Sequence, residues 1–281
     1  VTDPFKIDGP TAISFSGGRT SAYMLWRVLQ AHGGKLPEGV EVCFANTGKE
    51  REETLEFVRD CSQRWGVPIR WIEYRNDEAG FALVDFDTAS RDGEPFAAII
   101  KKRNYLPNPM ARFCTVELKI MPQREYLRSI GWTDWDDMVG IRADEPRRVA
   151  KIRANPSGGH AGPERAVPLA DAGVTKKHVG AFWKSQPFDL GLRAVNGVTM
   201  EGNCDLCFLK GANIVLTSIK AEPPRAAWWI GQEGSITNAK IENGGSFRND
   251  RPSYQQMLNY ALAQQDLFAD EDESIACFCG D

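Results

Sequence analysis

The chain has 281 residues, and what it lacks narrows the field first. No apolar run reaches the length of a membrane-spanning helix, and the first residues do not follow the charged-then-apolar pattern of a secretory signal. A soluble, cytoplasmic protein with no membrane partner is the expectation. The net charge of −4 excludes a chain that coats nucleic acid by bulk charge, and leaves room only for a local basic groove. Internal repeats and low-complexity tracts are absent, which sets solenoids and extended disorder aside. The ATPase phosphate loop G-x-x-x-x-G-K-S/T is absent too. Histidine is scarce: His32, His160 and His178 have no spacing that suggests a shared site. His178, next to Lys176 and Lys177, reads as a solvated surface residue.

What is present fits a globular protein, since 42% hydrophobic and 26% charged residues support a sizeable core in one large domain, alone or with an appendage. The apolar run Thr11-Ala12-Ile13 leads into Ser14-Phe15-Ser16-Gly17-Gly18-Arg19-Thr20-Ser21, and an amphipathic segment, Ala22 to Leu29, follows. A strand, a Ser-Gly-Gly loop and a helix make an anion cradle. The glycines let backbone approach a ligand, the helix start supplies N–H groups, and Ser16, Thr20 and Ser21 add hydroxyls. Phosphate, pyrophosphate or sulfate is the natural guest.

Val40 to Ala45 reads as a buried strand, Glu52 to Trp65 as a helix and Pro68 to Tyr74 as the next strand. This alternation predicts a doubly wound α/β fold with a mostly parallel sheet. Residues 75–109 carry Gly80, Gly93, Pro95, Pro107 and Pro109 and read as a loop-rich cover. Glu117 to Ile130 is predicted helical, Asp137 to Ile141 a short strand, 155–162 a surface loop, and Thr175 the N-cap of a helix reaching Lys184. Beyond Lys220 the α/β pattern fades into a C-terminal extension with one helix, Ser253 to Leu267. The expected domains are thus 1–220 and 221–281. Asn46-Thr47-Gly48-Lys49-Glu50 follows the second strand, and loops at the carboxyl ends of parallel strands converge on one ligand crevice.

At these residues the chain resembles a known family. Ser16-Gly17-Gly18-x-x-Ser21 followed by Asn46-Thr47-Gly48-x-Glu50-x-x-Glu53-Thr54 is similar to the adenine-nucleotide alpha-hydrolase (PP-loop) superfamily, and within it to the phosphoadenosine-phosphosulfate reductase family. Arg112-Phe113-Cys114-Thr115-x-x-Leu118-Lys119-x-x-Pro122, Gly140-Ile141-Arg142-x-x-Glu145-x-x-Arg148, and Pro168-Leu169 with Thr175 and Val179 extend the likeness over about residues 11–210. The resemblance implies an adenine nucleotide, ATP or an adenylyl or phosphoadenylyl sulfate, held by Ser16, Gly17, Gly18, Arg19, Thr20, Ser21, Asn46, Thr47, Gly48 and Glu50. Arg112, Lys119, Arg142 and Arg148 would grip its sulfate or pyrophosphate, which suits guanidinium forks. The competing reading of these cations is surface ion pairing with Glu117, Asp136, Asp144 or Glu145.

Seven cysteines in a cytoplasmic protein read as ligands, redox groups or core residues rather than disulfides. Cys43 and Cys61 sit in apolar patterns and read as core. Cys204-Asp205-Leu206-Cys207 with the earlier Cys114 is similar to the cysteine set of cluster-bearing adenylylsulfate reductases, which implies a 4Fe–4S cluster. Those relatives carry a Cys-Cys pair where this chain has Cys114-Thr115. The fourth position therefore falls to Cys277 or Cys279, or stays open to substrate. Zinc is the alternative metal. The tail Cys279-Gly280 resembles the core of the nucleophile segment of sulfonucleotide reductases, without its flanking Glu and His, and implies Cys279 as a nucleophile resolved by a second thiol such as Cys277.

Two enzymes are implied: a thiol-dependent sulfonucleotide reductase, served by a thiol or electron-donor protein, or an ATP-dependent sulfurtransferase that adenylylates and thiolates a nucleic acid or small molecule. ATP-using members place an acid for magnesium where this chain has Thr20, which favours the reductase or leaves Mg2+ to Glu50 or Asp144. A nucleotide-binding cluster sensor without turnover is the non-enzymatic alternative.

Overall fold

The computed structural model describes residues 3–157, 162–195, 198–237 and 245–275. Cys277, Cys279 and His160 lie outside them. Four strands run parallel in register, β1 (Thr11–Ser14), β2 (Val40–Asn46), β3 (Ile69–Tyr74) and β5 (Asp136–Val139), with β6 (Glu164–Ala166) parallel to β5. β4 (Phe81–Val84) closes one edge antiparallel to β3. The order β4-β3-β2-β1-β5-β6 reverses direction of growth at β1, which opens a crevice at the carboxyl ends of β1 and β5.

Alternation along the strands decides which helices cover which face. Ile13, Val42, Phe44, Ile69 and Trp71 share one core with α1 (Arg19–Ala31), α2 (Glu52–Trp65) and α8 (Lys176–Lys184). Ala12, Cys43 and Ile72 share another with Tyr126 and Leu127 of α5 (Met121–Ser129). The expected doubly wound α/β fold is present. Cys43 and Cys61 are buried core residues, and desolvation pushes both thiols well up. α6 (Pro146–Ala154) buries Val149 and Ile152 against Ile141 and Val167, and the short α7 (Pro168–Asp171) follows.

Three local readings change. Residues 75–109 contain β4 and the helix α3 (Glu94–Arg103), because Pro95 stands in a first turn, where its missing N–H costs nothing. The helix expected from Glu117 is preceded by α4 (Phe113–Thr115) and a π-turn, Val116–Ile120, before α5 begins. His178 is exposed, yet its Nδ1 accepts the Thr175 amide at 3.0 Å, so it closes the cap of α8.

The chain divides into two compact units, Val1–Pro95 with Thr115–Cys204, and Phe96–Cys114 with Asp205–Asp281. A single cut after residue 220 would follow the chain, whereas compactness also groups residues 96–114 with the C-terminal segment. The second unit holds α9 (Ala212–Ala221), α10 (Ala226–Gly234) and α11 (Tyr254–Ile275) around an aromatic core of Phe96, Trp229, Phe247 and Tyr254. Among the described residues no helix is long and apolar enough to cross a membrane.

Candidate functional site

The Ser-Gly-Gly loop is shaped by close packing from below. Gly17 has φ +71°, and a Cβ there would stand 2.7 Å from Thr54 Cγ2 and 3.1 Å from Phe44 Cε2. Only glycine combines that conformation with that proximity. Ser21 Oγ accepts the Ser16 amide at 3.1 Å, donates to the Gly18 carbonyl at 3.0 Å and lies 3.0 Å from Ser16 Oγ. α1 begins at Gly18 with no side-chain cap and no acid in its first turn. Its positive end therefore has no protein side chain to offset it.

Arg142 reaches this helix start from the loop after β5. Its Nη1 donates to Thr20 Oγ1 at 3.1 Å, while Nε donates to Asp144 Oδ1 at 2.9 Å and Glu145 Oε2 lies 3.5 Å from Nη1. Gly140 lets this strand end come close, since a Cβ there would lie 3.1 Å from Ser21 Cα. The side chain of Arg19, expected among the nucleotide-holding residues, forms a two-bonded pair with Asp189, both at 2.6 Å. Its carbonyl accepts the Trp183 indole N–H at 2.9 Å, and Trp183 is packed among Phe57, Phe182 and Phe188. Asp189 and Trp183 thereby fix the first turn of α1, a role that sequence reading had not assigned to them. Arg148 is well exposed and pairs with Glu145 at 2.5 Å. Arg112 is exposed and belongs to the second unit.

The loop after β2 is held by buried carboxylates. Asn46 is fully buried, and its Nδ2 donates to Glu73 Oε1 at 2.6 Å and to the Ser90 carbonyl at 2.9 Å. Glu73, also fully buried, accepts the Ser90 amide at 2.6 Å, the Ser90 hydroxyl at 2.9 Å and Arg75 Nη1 at 2.8 Å. Sequence reasoning overlooked Glu73, although an acid between Ile72 and Tyr74 in a predicted strand was the available signal. Gly48 has φ +75° and faces Gly93 Cα, 3.0 Å from where a Cβ would sit. Glu50 Oε2 accepts the Thr47 amide at 2.9 Å, the Thr47 hydroxyl at 2.8 Å and the Lys49 amide at 3.2 Å. Its Oε1 is buried without a hydrogen bond, and Lys119 Nζ stands 3.8 Å away, delivered by the π-turn. Among the residues expected to serve the site, the first unit thus brings together Ser16 to Ser21 with Arg142, and Asn46 to Glu50 with Lys119.

These pairings bear on magnesium. Both Asp144 oxygens are engaged, Oδ1 by Arg142 and Oδ2 by the Lys176 amide at 3.0 Å, and the second oxygen of Glu50 faces an ammonium. Asp144 is thus engaged at both oxygens, whereas Glu50 Oε1 carries no hydrogen bond.

Cys204 belongs to the first unit, where it forms a β-bridge with Glu50, and its Sγ lies 3.3 Å from Thr47 Oγ1. Cys114 and Cys207 belong to the second. Residues inside and beside the Cys-x-x-Cys turn take left-handed backbone, Asn203 at φ +60° and Leu206 at φ +40°, costly for a leucine and held only by surrounding structure. In the second unit Asp205 accepts Arg225 Nη1 at 3.0 Å and the Trp229 indole at 3.3 Å, and the Leu206 carbonyl accepts the Tyr254 hydroxyl at 2.6 Å. The C-terminal segment is thus what braces the turn. Among the described residues no group of three or more His, Cys, Asp or Glu forms a set that could hold a metal ion. Cys277, the further ligand that the resemblance implies, lies outside them.

Residues 10–171 match the family model described as the phosphoadenosine phosphosulfate reductase domain. Over 219 residues the chain is 32% identical to the nin region protein ORF290 of Escherichia phage lambda, covering 75% of this chain and 69% of that protein. Over 149 residues it is 28% identical to protein MJ0066 of Methanocaldococcus jannaschii, covering 53% of this chain and 26% of that protein. Among solved structures, the phosphoadenylyl-sulfate reductase from Candida auris in phosphate complex has a TM-score of 0.44 at 15% identity, covering 69% of this chain and 88% of that one. The U34-tRNA thiolase NcsA from Methanococcus maripaludis, with its 4Fe-4S cluster, has a TM-score of 0.40 at 15% identity, covering 85% and 76%. At such scores neither structure bears on this chain's chemistry.

Proposed function

The chain belongs to the phosphoadenosine phosphosulfate reductase domain family, and from that premise we propose that it is an enzyme of thiol-linked sulfur chemistry on an adenine sulfonucleotide. The observation that carries this reading is the uncapped, glycine-shaped start of α1 with the Arg142 guanidinium held beside Thr20. In it Ser16 to Ser21 cradle a phosphate, Asn46 to Glu50 line the nucleotide, and Arg142 and Lys119 hold the sulfate oxygens. Arg112 and Arg148 are assigned to the same anion from the family motif. Thr20 stands where ATP-using members place an acid for magnesium, which supports a sulfonucleotide over ATP.

The nucleophile assigned from the motif is Cys279. Its thiolate attacks the sulfate sulfur, an S–S bond forms, and the S–O bond to phosphate breaks with the nucleotide leaving on the electron pair. A second thiolate, from a donor protein, then attacks Cys279 Sγ, forms a disulfide and expels sulfite. Cys114, Cys204, Cys207 and Cys277 are assigned from sequence as ligands of a 4Fe–4S cluster, which would supply a charged, redox-capable centre. No step above passes through it.

Sulfite release from adenylyl and phosphoadenylyl sulfate with a dithiol, set beside AMP and pyrophosphate release from ATP, tests the reading. We expect sulfite, with sulfonucleotide binding weakened about 10- to 100-fold in Arg142→Ala through loss of a charged hydrogen-bond pair. ATP cleavage without sulfite would transfer the assignment to an ATP-dependent sulfurtransferase, and binding without turnover to a sensor. Iron and acid-labile sulfide counts on anaerobically purified wild type and Cys204→Ser decide the cluster: metal lost in the variant supports it, and zinc alone or no metal in wild type rejects it.

A further inference from the structure

Positive charge is unevenly placed on the first unit. The chain has a net charge of −4, yet residues 146–163 and 172–188 contain no aspartate or glutamate, and two nine-residue helices, α6 and α8, carry their lysines and arginines. In α6, Val149 and Ile152 are buried, and at 3.6 residues per turn the opposite face carries Arg147, Ala150, Lys151 and Ala154, all exposed. Arg148 and Arg153 flank the buried side and are drawn onto Glu145 at 2.5 Å and Asp171 at 2.6 Å. In α8, Val179 and Trp183 are buried, and the opposite face carries Lys177, Gly180, Ala181 and Lys184, all exposed. Among the described residues no ion pair neutralises Arg147, Lys151, Lys177 or Lys184. Helix stability does not account for this placement, because a helix start is its positive end and disfavours cations. Both first turns lack an acid, while Arg147 and Arg148 open α6 and Lys176 and Lys177 open α8. Among the described residues the acids at these starts are Glu145, the N-cap of α6, and Asp144, which accepts the Lys176 amide at 3.0 Å. Each is itself paired with an arginine, Arg148 and Arg142. The two helix starts thus adjoin one loop, the loop that holds Arg142 beside the crevice.

We infer that the outward faces of α6 and α8 are a docking surface for duplex DNA, bound through its phosphates. The chemistry of the faces selects among polyanions. Protein interfaces are anchored by buried aromatic and aliphatic side chains and are poor in lysine, whereas these faces expose only cations and small residues. A membrane surface takes the apolar side of a helix, and here that side is turned into the core. Single strands are held by stacking on aromatic rings, and these faces carry none. Duplex RNA is recognised through its 2′-hydroxyls as well as its phosphates, and the faces hold no neutral polar side chain to meet them. A duplex DNA backbone asks for charge without anchors, and the alanines and the glycine between the cations let it come close. Arg147 and Lys151 stand about 6 Å apart along α6, and Lys177 and Lys184 about 10 Å apart along α8, so each can meet a separate phosphate. The surface concerns binding alone and asks for no step of the sulfur chemistry above.

Fluorescence anisotropy of a labelled duplex DNA, titrated with the full chain at a series of chloride concentrations, tests the surface. Wild type should bind at low salt, with log K falling against log salt at a slope of about −3 to −4, close to one unit for each of the four cations. Arg147→Gln combined with Lys151→Gln should make that slope shallower by about two and weaken low-salt binding about tenfold or more. Lys177→Gln combined with Lys184→Gln should do the same, and both pairs should keep the wild-type melting curve because all four side chains are exposed. Lys6→Gln combined with Lys35→Gln removes as much charge from exposed lysines that precede β1 and β2, and should leave binding intact. Absence of binding in wild type overturns the inference, as does unchanged affinity and slope in the α6 and α8 variants. An equal loss in the Lys6 and Lys35 variant overturns it too, as does tighter binding of duplex RNA, single-stranded DNA or polyglutamate than of duplex DNA. Should one helix variant fail to fold, the other decides.

Discussion

The loops after β1 and β2 leave neighbouring parallel strands at the same end of the sheet, and they are held by opposite means. The first is shaped by missing side chains: Gly17 and Gly140 permit approach, small hydroxyls tie the turn, and the first turn of α1 is left uncapped. The second is shaped by buried charge, with Glu73 and Glu50 between them accepting Asn46, Thr47, Lys49, Ser90 and Arg75. A loop of the first kind leaves the helix start behind it without a side-chain cap. A loop of the second kind is rigid because its donors are spent internally, and it serves as a wall.

The sharpest way to break the comparison is at Glu73. Glu73→Ala leaves Asn46, Ser90 and Arg75 without their acceptor, and should destabilise the protein by about 3–5 kcal/mol, read as a fall in urea midpoint. A change as small as that of an exposed glutamate would show that the second loop does not depend on this network.

Next comes the strand beneath the first loop, where half-buried Asp137 accepts Ser14 Oγ at 2.7 Å. Removal from water pushes its carboxyl up to about 6, against a lowering by Ser14 and by Arg165 and Arg124. With the folded value above the unfolded one, the folded state binds the proton more tightly. This group's penalty is therefore full above pH 6 and fades as pH falls towards 4. The difference at neutral pH is about 3 kcal/mol. Urea midpoints of wild type and Asp137→Asn should diverge on going from pH 5 to pH 7, with the variant gaining; parallel curves would reject this account.

Gly17→Ala should have the smallest effect on stability, about 1–3 kcal/mol from left-handed strain and contact with Thr54. Its effect on sulfonucleotide affinity should be larger than that of Glu73→Gln, because it moves the anion cradle itself. Equal losses of affinity in the two variants would erase the distinction between cradle and wall.

Much of this was legible before the fold was seen. The apolar runs of Val40 to Ala45 and Pro68 to Tyr74, and the glycines after β1, are local signals, and the structure follows them. β4 is four residues long and sits between turn residues, so its edge pairing had no periodicity to announce it. The π-turn before α5 had no signal either, because one wider turn leaves the apolar pattern of a helix nearly unchanged. Arg19 and Arg142 looked alike as candidate anion ligands, yet one is committed to Asp189 and the other rests beside Thr20.

By itself, then, the sequence determined the first three strands, the helix between Glu52 and Trp65 and the glycine turn after β1, since each depends on a residue and its near neighbours. The tertiary structure decided which charges remain for a ligand. Arg19 and Asp189 are 170 positions apart, and Asn46 and Glu73 are 27 apart. An ion pair or hydrogen bond forms only when folding brings two such groups within about 3 Å, and no local pattern encodes that distance.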